Sequence, residues 1–295
     1  MTWKGKTKGG LTGNKIFFFF LKTFGLKPAY FLLRFVSFYF FVFSDTNKFI
    51  YSYFKNILGY PAFKSRIKVY RNYYLLGQTI LDRVALFSGI KTNFKVIHEG
   101  GENLDKMSAG GKGGILLSAH VGNWDVAGQL LNRLDTKINI LMYENEQEDI
   151  KKFFDSVTTK HSVNIIPIKE NDLGHLIKLK EAFNNNELLV MHGDRFREGG
   201  KTIEHDFMGK KAKFPVGPFH LAAKFGVPVV ITFAMKEESS QYHLFATEPV
   251  SMNRTSGQEE TEKAITFFLH YYVTEVEKIL KRFPDQWFNY YDFWG

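Results

Sequence analysis

The stretch LLSAHVGNWDVAGQLL, residues 116–131, sets a histidine at the end of an apolar run and an aspartate five positions later. Imidazole and carboxylate are the pair that general-base chemistry uses: the carboxylate fixes one ring tautomer, and the other ring nitrogen takes a proton from a hydroxyl or amine. On one regular helix, residues five apart are about 140° out of phase and do not meet. The spacing therefore works only across a strand-to-helix turn. His120 then closes a strand, at the edge where open α/β sheets bind ligands. Gly122 permits the bend, Asn123 caps the helix, and Asp125 falls in its first turn, where the macrodipole favours negative charge. The same residues also fit a plainer reading, in which Asn123 and Asp125 only cap the helix and His120 hydrogen-bonds inside the fold.

Two further groups could do chemistry. The runs MHGD and EHD bring His192, Asp194, His205 and Asp206 into one region, a donor set that suits zinc or manganese and would make the protein a metal-dependent hydrolase. No His-Glu-x-x-His element accompanies them, and the preferred reading has no metal and no cofactor. Ser118 lacks the Gly-x-Ser-x-Gly elbow of a nucleophile. Cysteine is absent, which removes disulfides, thiolate metal sites and a thiol nucleophile.

The elements that must carry these residues read as an α/β layer from about residue 94. Buried strands are expected over 113–120, 137–143, 163–168 and 187–192, alternating with helices over 123–133, 149–160 and 172–185. VGPFHLAAKF is a helix stopped by Gly226 and Pro228. VPVVITFAM is the next strand, QYHLFATEPV its antiparallel neighbour, and residues 258–282 a long amphipathic helix. The fold class that follows is α/β, a mixed but mostly parallel sheet flanked by helices.

Residues 1–93 differ from residues 94–295 and are assigned separately, as a membrane-associating helical region ahead of a catalytic domain. The first 81 residues hold thirteen Lys and Arg against one acid, Asp45, so the positive charge of the chain sits there. The same region contains IFFFFLKTFGLKPAYFLLRFVSFYFFVF, residues 16–43. Nucleic-acid binders also combine bases with aromatics, but among polar residues, so nucleic acid is excluded as a partner. An anionic membrane surface is favoured instead, each base near it contributing roughly 1 kcal/mol. Residues 28–43 give 16 positions interrupted by Arg34, short of the roughly 20 needed to span, so an interfacial or re-entrant anchor is expected. A non-catalytic membrane-binding protein would share this region and would tolerate alanine at His120 and Asp125.

Three blocks together resemble the late acyltransferases of lipid A biosynthesis, within the lysophospholipid and glycerol-3-phosphate acyltransferase superfamily. HVGNWD, residues 120–125, is similar to that family's His-x4-Asp/Glu signature. GDRFREGG with FMGKKAKFPVGPFHLAAKFGVPVV, residues 193–230, is similar to its second block, and FPDQWFNYYDFW, residues 283–294, to its Pro-x-Gln-Trp ending. Val216 in FPVGP departs from a Glu-Gly found in related blocks, so a phosphate-site carboxylate is not carried over there.

The resemblance implies a glycerol-3-phosphate acyltransferase-like fold and transfer of an acyl chain from acyl carrier protein or coenzyme A to a hydroxyl or amine of a membrane lipid. It implies the cytoplasmic face of the inner membrane as the location. His120 would be the general base and Asp125 its orienting partner, without a covalent acyl-enzyme. Gly122 and Asn123 would shape the substrate site, and Arg195 would meet a phosphate or the oxyanion. Asp194 would fix Arg195 or a neighbouring loop, and Lys211 and Lys213 would meet phosphopantetheine or lipid phosphates. The plainer alternative for these lysines is a solvated basic hairpin. The terminal aromatics from Trp287 to Trp294 would line the membrane interface or pack in the core.

Overall fold

The computed structural model describes residues 19–123, 126, 136–143, 163–168, 174–196 and 199–295. The helices expected over 123–133 and 149–160 lie outside these. Strands β1 (Lys95–Glu99), β2 (Gly114–Ser118), β3 (Ile138–Tyr143), β4 (Val163–Ile168) and β5 (Leu188–His192) come first in the chain. β6 (Thr202–Phe207) and β7 (Lys210–Pro215) form a separate hairpin, followed by β8 (Val229–Glu238) and β9 (Gln241–Ala246). Seven of these make one sheet in the order β1-β9-β8-β2-β5-β3-β4. β8, β2, β5, β3 and β4 run parallel, β9 returns antiparallel along β8, and β1 lies parallel to β9. The class is the expected mixed, mostly parallel α/β sheet.

The residue types explain the layering. Every side chain of β2 is buried, as a strand covered on both faces requires, and its sequence GILLS is apolar almost throughout. Helix α7 (Gln258–Arg282) buries Ala264, Phe268, Tyr272, Val276 and Ile279 at helical spacing. Its first turn carries Glu259 and Glu260 and its last Lys281 and Arg282, each matching the macrodipole.

Before the sheet come α1 (Leu26–Phe43), α2 (Asn47–Ser52), a π-turn at Tyr53–Ile57, and α3 (Ala62–Phe87), while α4 (Gly101–Ala109), α5 (Gly174–Asn184) and α6 (Gly217–Phe225) lie between strands. α1 and α3 pair antiparallel: Tyr30 hydrogen-bonds to Asp82, and the Phe41 and Tyr70 rings lie 6.3 Å apart. Between these levels Leu33 sits over Gly77, where an added Cβ would lie 2.4 Å from Leu33 Cδ1, so glycine sets the close approach. The opposite side of α1 stays outside: Phe31, Phe35, Phe38 and Val42, at helical spacing, form an exposed stripe, and Phe63 and Ile67 of α3 are exposed as well. At 18 residues with mean hydropathy 1.4, α1 is by length and composition alone long and apolar enough to cross a membrane.

The regions before and after residue 94 share one core. Ile50, Tyr53, Phe54, Val69 and Tyr73 pack in the same cluster as Leu117, Ile231 and Phe268. A buried ion pair adds to this, with Lys236 Nζ 2.6 Å from Asp82 Oδ2 and both side chains at most 1% exposed. The hydroxyls of Tyr30 and Tyr242 also donate to Asp82, and Lys236 donates to Ser239 O, so the charges are satisfied on every side.

Candidate active site

His120 lies two residues beyond β2, and His192 is the last residue of β5; the two strands are parallel neighbours with Ser118 level with His192. Their carboxyl ends therefore bring three polar side chains to one edge of the sheet. His120 Nδ1 is 2.8 Å from Asp194 Oδ1, and the His120 backbone N–H donates to Asp194 Oδ2 at 2.9 Å. One carboxylate thus holds both the main chain and the ring of the same residue. The His192 ring packs edge-on against that of His120, with centroids 4.3 Å apart.

The residue after β5, helix α7 and the carboxyl-terminal segment brace this corner. Gly193 N–H and the Tyr272 hydroxyl both donate to Ser118 O, each at 3.0 Å. From the other side the carboxyl-terminal segment crosses the turn: Phe288 N–H donates to His120 O and Gly122 N–H to Gln286 O, each at 2.9 Å, with an isolated bridge from Val121 to Trp287. Arg195 donates to Phe288 O at 2.8 Å. The three sequence blocks, far apart along the chain, meet around one histidine.

The electrostatics assign the tautomer. Burial alone would raise the Asp194 carboxyl, but His120, its hydrogen bond, Arg195 and His192 outweigh it and hold the group well below the usual carboxylate range. Asp194 is therefore an ionised, acceptor-only partner, so the hydrogen sits on His120 Nδ1 and the lone pair on Nε2. Burial pushes His120 below its ordinary value despite the upward pull of Asp194, although 27% of the side chain reaches solvent. Burial, with His120 and Arg195 adding to it, pushes His192 down to about 3. Both rings are neutral near pH 7, and His120 offers a reachable basic nitrogen.

Of the residues singled out from sequence, Asp125 lies outside the described residues. The carboxylate found on His120 is Asp194, to which the sequence had given the neighbouring loop or Arg195. Asn123 is buried and donates to Thr79 O at 3.2 Å and to the Tyr242 hydroxyl at 3.0 Å, so its amide ties the turn into the fold. Lys211 pairs across the hairpin with Asp206 at 3.0 Å, and Lys213 is level with Glu204, so both sit on an exposed ladder whose acids face the bases. The quartet His192, Asp194, His205 and Asp206 is not assembled. His205 bonds Asp206 O at 2.7 Å and approaches His270 at 3.3 Å on the hairpin, while the group close enough to share an ion is His120, His192 and Asp194. Ser118 directs its hydroxyl to Ala119 O. Trp287, Phe288 and Phe293 are buried, so of the two readings for the terminal aromatics the core has them.

Gly122 makes the turn possible. Its φ is +68°, and an added Cβ would lie 2.2 Å from Ala234 O and 2.8 Å from Met235 Sδ. Gly122→Ala is expected to cost at least about 1–3 kcal/mol from the left-handed backbone, before the clash is counted. Thermal denaturation should show the loss; an unchanged melting temperature would contradict this geometry.

A histidine held by a buried carboxylate thus lies at the carboxyl edge of a mixed, mostly parallel α/β sheet. The chain belongs to the bacterial lipid A biosynthesis acyltransferase family, whose model matches residues 14–294. Phosphatidylinositol mannoside acyltransferases from two strains of Mycobacterium tuberculosis, H37Rv and CDC 1551, are 27% identical over 133 residues, covering 44% of this chain and 41% of theirs. The match thus spans less than half the length of those relatives. The crystal structure of the 1-acyl-sn-glycerophosphate (LPA) acyltransferase PlsC from Thermotoga maritima aligns over 89% of this chain and 95% of its own, with a TM-score of 0.37 and 17% identity.

Proposed function

We propose that this protein moves a fatty acyl chain from a thioester donor, acyl carrier protein or coenzyme A, to a hydroxyl or amine of a membrane lipid, in the synthesis of lipid A or a related glycolipid. The observation that carries this is the 2.8 Å contact of His120 Nδ1 with Asp194, in a member of an acyltransferase family. His120 Nε2 takes the acceptor's proton as its oxygen or nitrogen attacks the thioester carbonyl. The carbon–oxygen or carbon–nitrogen bond forms, and the negative charge moves to the carbonyl oxygen. Collapse of that intermediate breaks the carbon–sulfur bond, and His120 returns the proton to the departing thiolate. Asp194 stabilises the imidazolium formed in between, and Arg195 supplies positive potential for the oxyanion. The scheme needs neither metal nor cofactor.

The acceptor side of the proposal rests on α1. Its exposed aromatic stripe has Lys22, Lys27 and Arg34 near it, a combination suited to the interface of an anionic bilayer, on the cytoplasmic face of the inner membrane where the thioester donors are found. Lipid mass spectrometry of cells with the gene, without it, and with His120→Ala in its place tests the reading. One acylated lipid class should disappear in the second and third strains, its under-acylated precursor accumulating. Identical lipids in all three would overturn the proposal.

A further inference from the structure

Helix α3 carries polar side chains on the face it buries. Lys68, Asn72, Thr79 and Asp82 recur at helical spacing; Asn72 and Asp82 are fully buried, and Thr79 nearly so. Such a stripe weakens a packed helix unless each group is bonded. The Thr79 hydroxyl bonds Leu76 O within the helix, while Lys68, Asn72 and Asp82 find partners in other segments, and the Thr79 carbonyl is left to accept from the turn after β2.

On one side, Asn72 Nδ2 donates to Asp285 O at 3.0 Å and to Trp287 O at 2.9 Å. The next residue, Phe288, donates its N–H to His120 O and accepts Arg195 on its own carbonyl. Lys68 and Arg71 fix the same segment through Asp285, at 2.7 and 2.8 Å. On the other side, Thr79 O accepts from Asn123 Nδ2, and Asn123 also bonds Tyr242, whose hydroxyl donates to Asp82. The turn 120–123 is thereby gripped at both ends by one helix.

We infer that α3 is a positioning element of the active site and that Asn72 is its principal positioning residue, setting the separation of His120 and Arg195 through the segment 285–288. Asn72 touches no reacting atom. The inference rests on the general-base reading of His120. It makes the helical region that carries the exposed aromatic stripe a part of the catalytic geometry as well as a surface for lipid.

The test compares full-length wild type with Asn72→Ala, Tyr290→Phe and Tyr73→Phe in detergent micelles. Tyr290→Phe removes only the hydroxyl that donates to Asn72 Oδ1 at 3.0 Å, and Tyr73→Phe removes a hydroxyl on the same helix that bonds Thr46 at 2.7 Å. Turnover and KM are measured with an acyl thioester, and the His120 ring is followed by nitrogen-15 NMR. Asn72→Ala should lower kcat about tenfold or more, since small displacements of a catalytic group are that costly. Tyr290→Phe should lower kcat by a smaller factor, with KM constant within about twofold in both. In both, the ring should lose its single Nδ1–H tautomer, while Tyr73→Phe behaves as wild type. Unchanged kcat and tautomer in the first two variants would overturn the inference, as would losses that track melting temperature in all three. If Asn72→Ala does not fold, Tyr290→Phe carries the test alone. A wild type that acylates no lipid overturns the proposed function instead, and the ring tautomer still decides the role of α3.

Discussion

Replacement of His120 by glutamine is expected to lower the rate of thioester-dependent acyl transfer by about 10²–10⁴-fold, the range a positioned general base supplies. The reason lies in the ring's two nitrogens. Nδ1 is committed to Asp194 at 2.8 Å, which leaves Nε2 unprotonated, and 27% of the side chain remains accessible to an incoming acceptor. Glutamine keeps a polar group near Asp194 but offers no base of comparable strength. The stability cost should be modest, about 1–3 kcal/mol for a carboxylate left partly unsatisfied. Free-thiol release with purified enzyme, alongside thermal denaturation, separates the two effects. A variant that keeps a tenth or more of wild-type turnover would remove His120 from the chemistry and restore it to a packing role.

The parts of this site that were legible in the sequence are those fixed by local pattern. β2, β5 and α7 follow from apolar runs and helical periodicity, and the end of α6 (Gly217–Phe225) from Gly226, where φ is +64°, with Pro228 beyond it. His120 at a strand terminus followed from the same reading. Asp194 as its partner did not, because the two are 74 residues apart and meet only through the pairing of β2 with β5. The available signal was a Gly-Asp directly after a second buried strand, which strand order alone turns into a neighbour. The hairpin β6–β7, with Ala212 and Phe214 buried and Lys211 and Lys213 exposed in period two, is the plainer alternative that the sequence offered for those lysines. The docking of α1 on α3 was hidden for another reason. Phenylalanine and tyrosine occupy both faces of α1, so composition carries no contrast between the buried side with Tyr30 and the exposed side with Phe31 and Phe35. The polar groups that tie α3 in turn to the rest of the fold find their partners more than 150 residues away, as Lys68 does in Asp285 and Asp82 in Lys236.

Asp194→Asn is expected to be nearly as damaging as loss of the base, about 10³–10⁴-fold in kcat, even though the side chain keeps its shape. An amide facing Nδ1 can donate a hydrogen bond where the carboxylate could only accept one. The ring then carries its hydrogen on Nε2, the nitrogen that must take the acceptor's proton, and the imidazolium formed in the reaction loses its counter-charge. The pH profile gives a second reading of the same change. In the wild type, burial holds His120 below its ordinary value of 6.5 while Asp194 pulls it partly back. Because the protonated ring is inactive as a base, kcat/KM rises with pH through that value, and its acid limb should lie below pH 6.5. Removing the Asp194 charge takes away the upward pull, so the residual activity of the variant should show its acid limb at still lower pH. Asp125→Asn is the comparison that decides between the two carboxylates. Should it cost 10³-fold while Asp194→Asn retains most of its turnover, the orienting role would pass to Asp125, and the contact between Asp194 and His120 would be a structural brace of the turn.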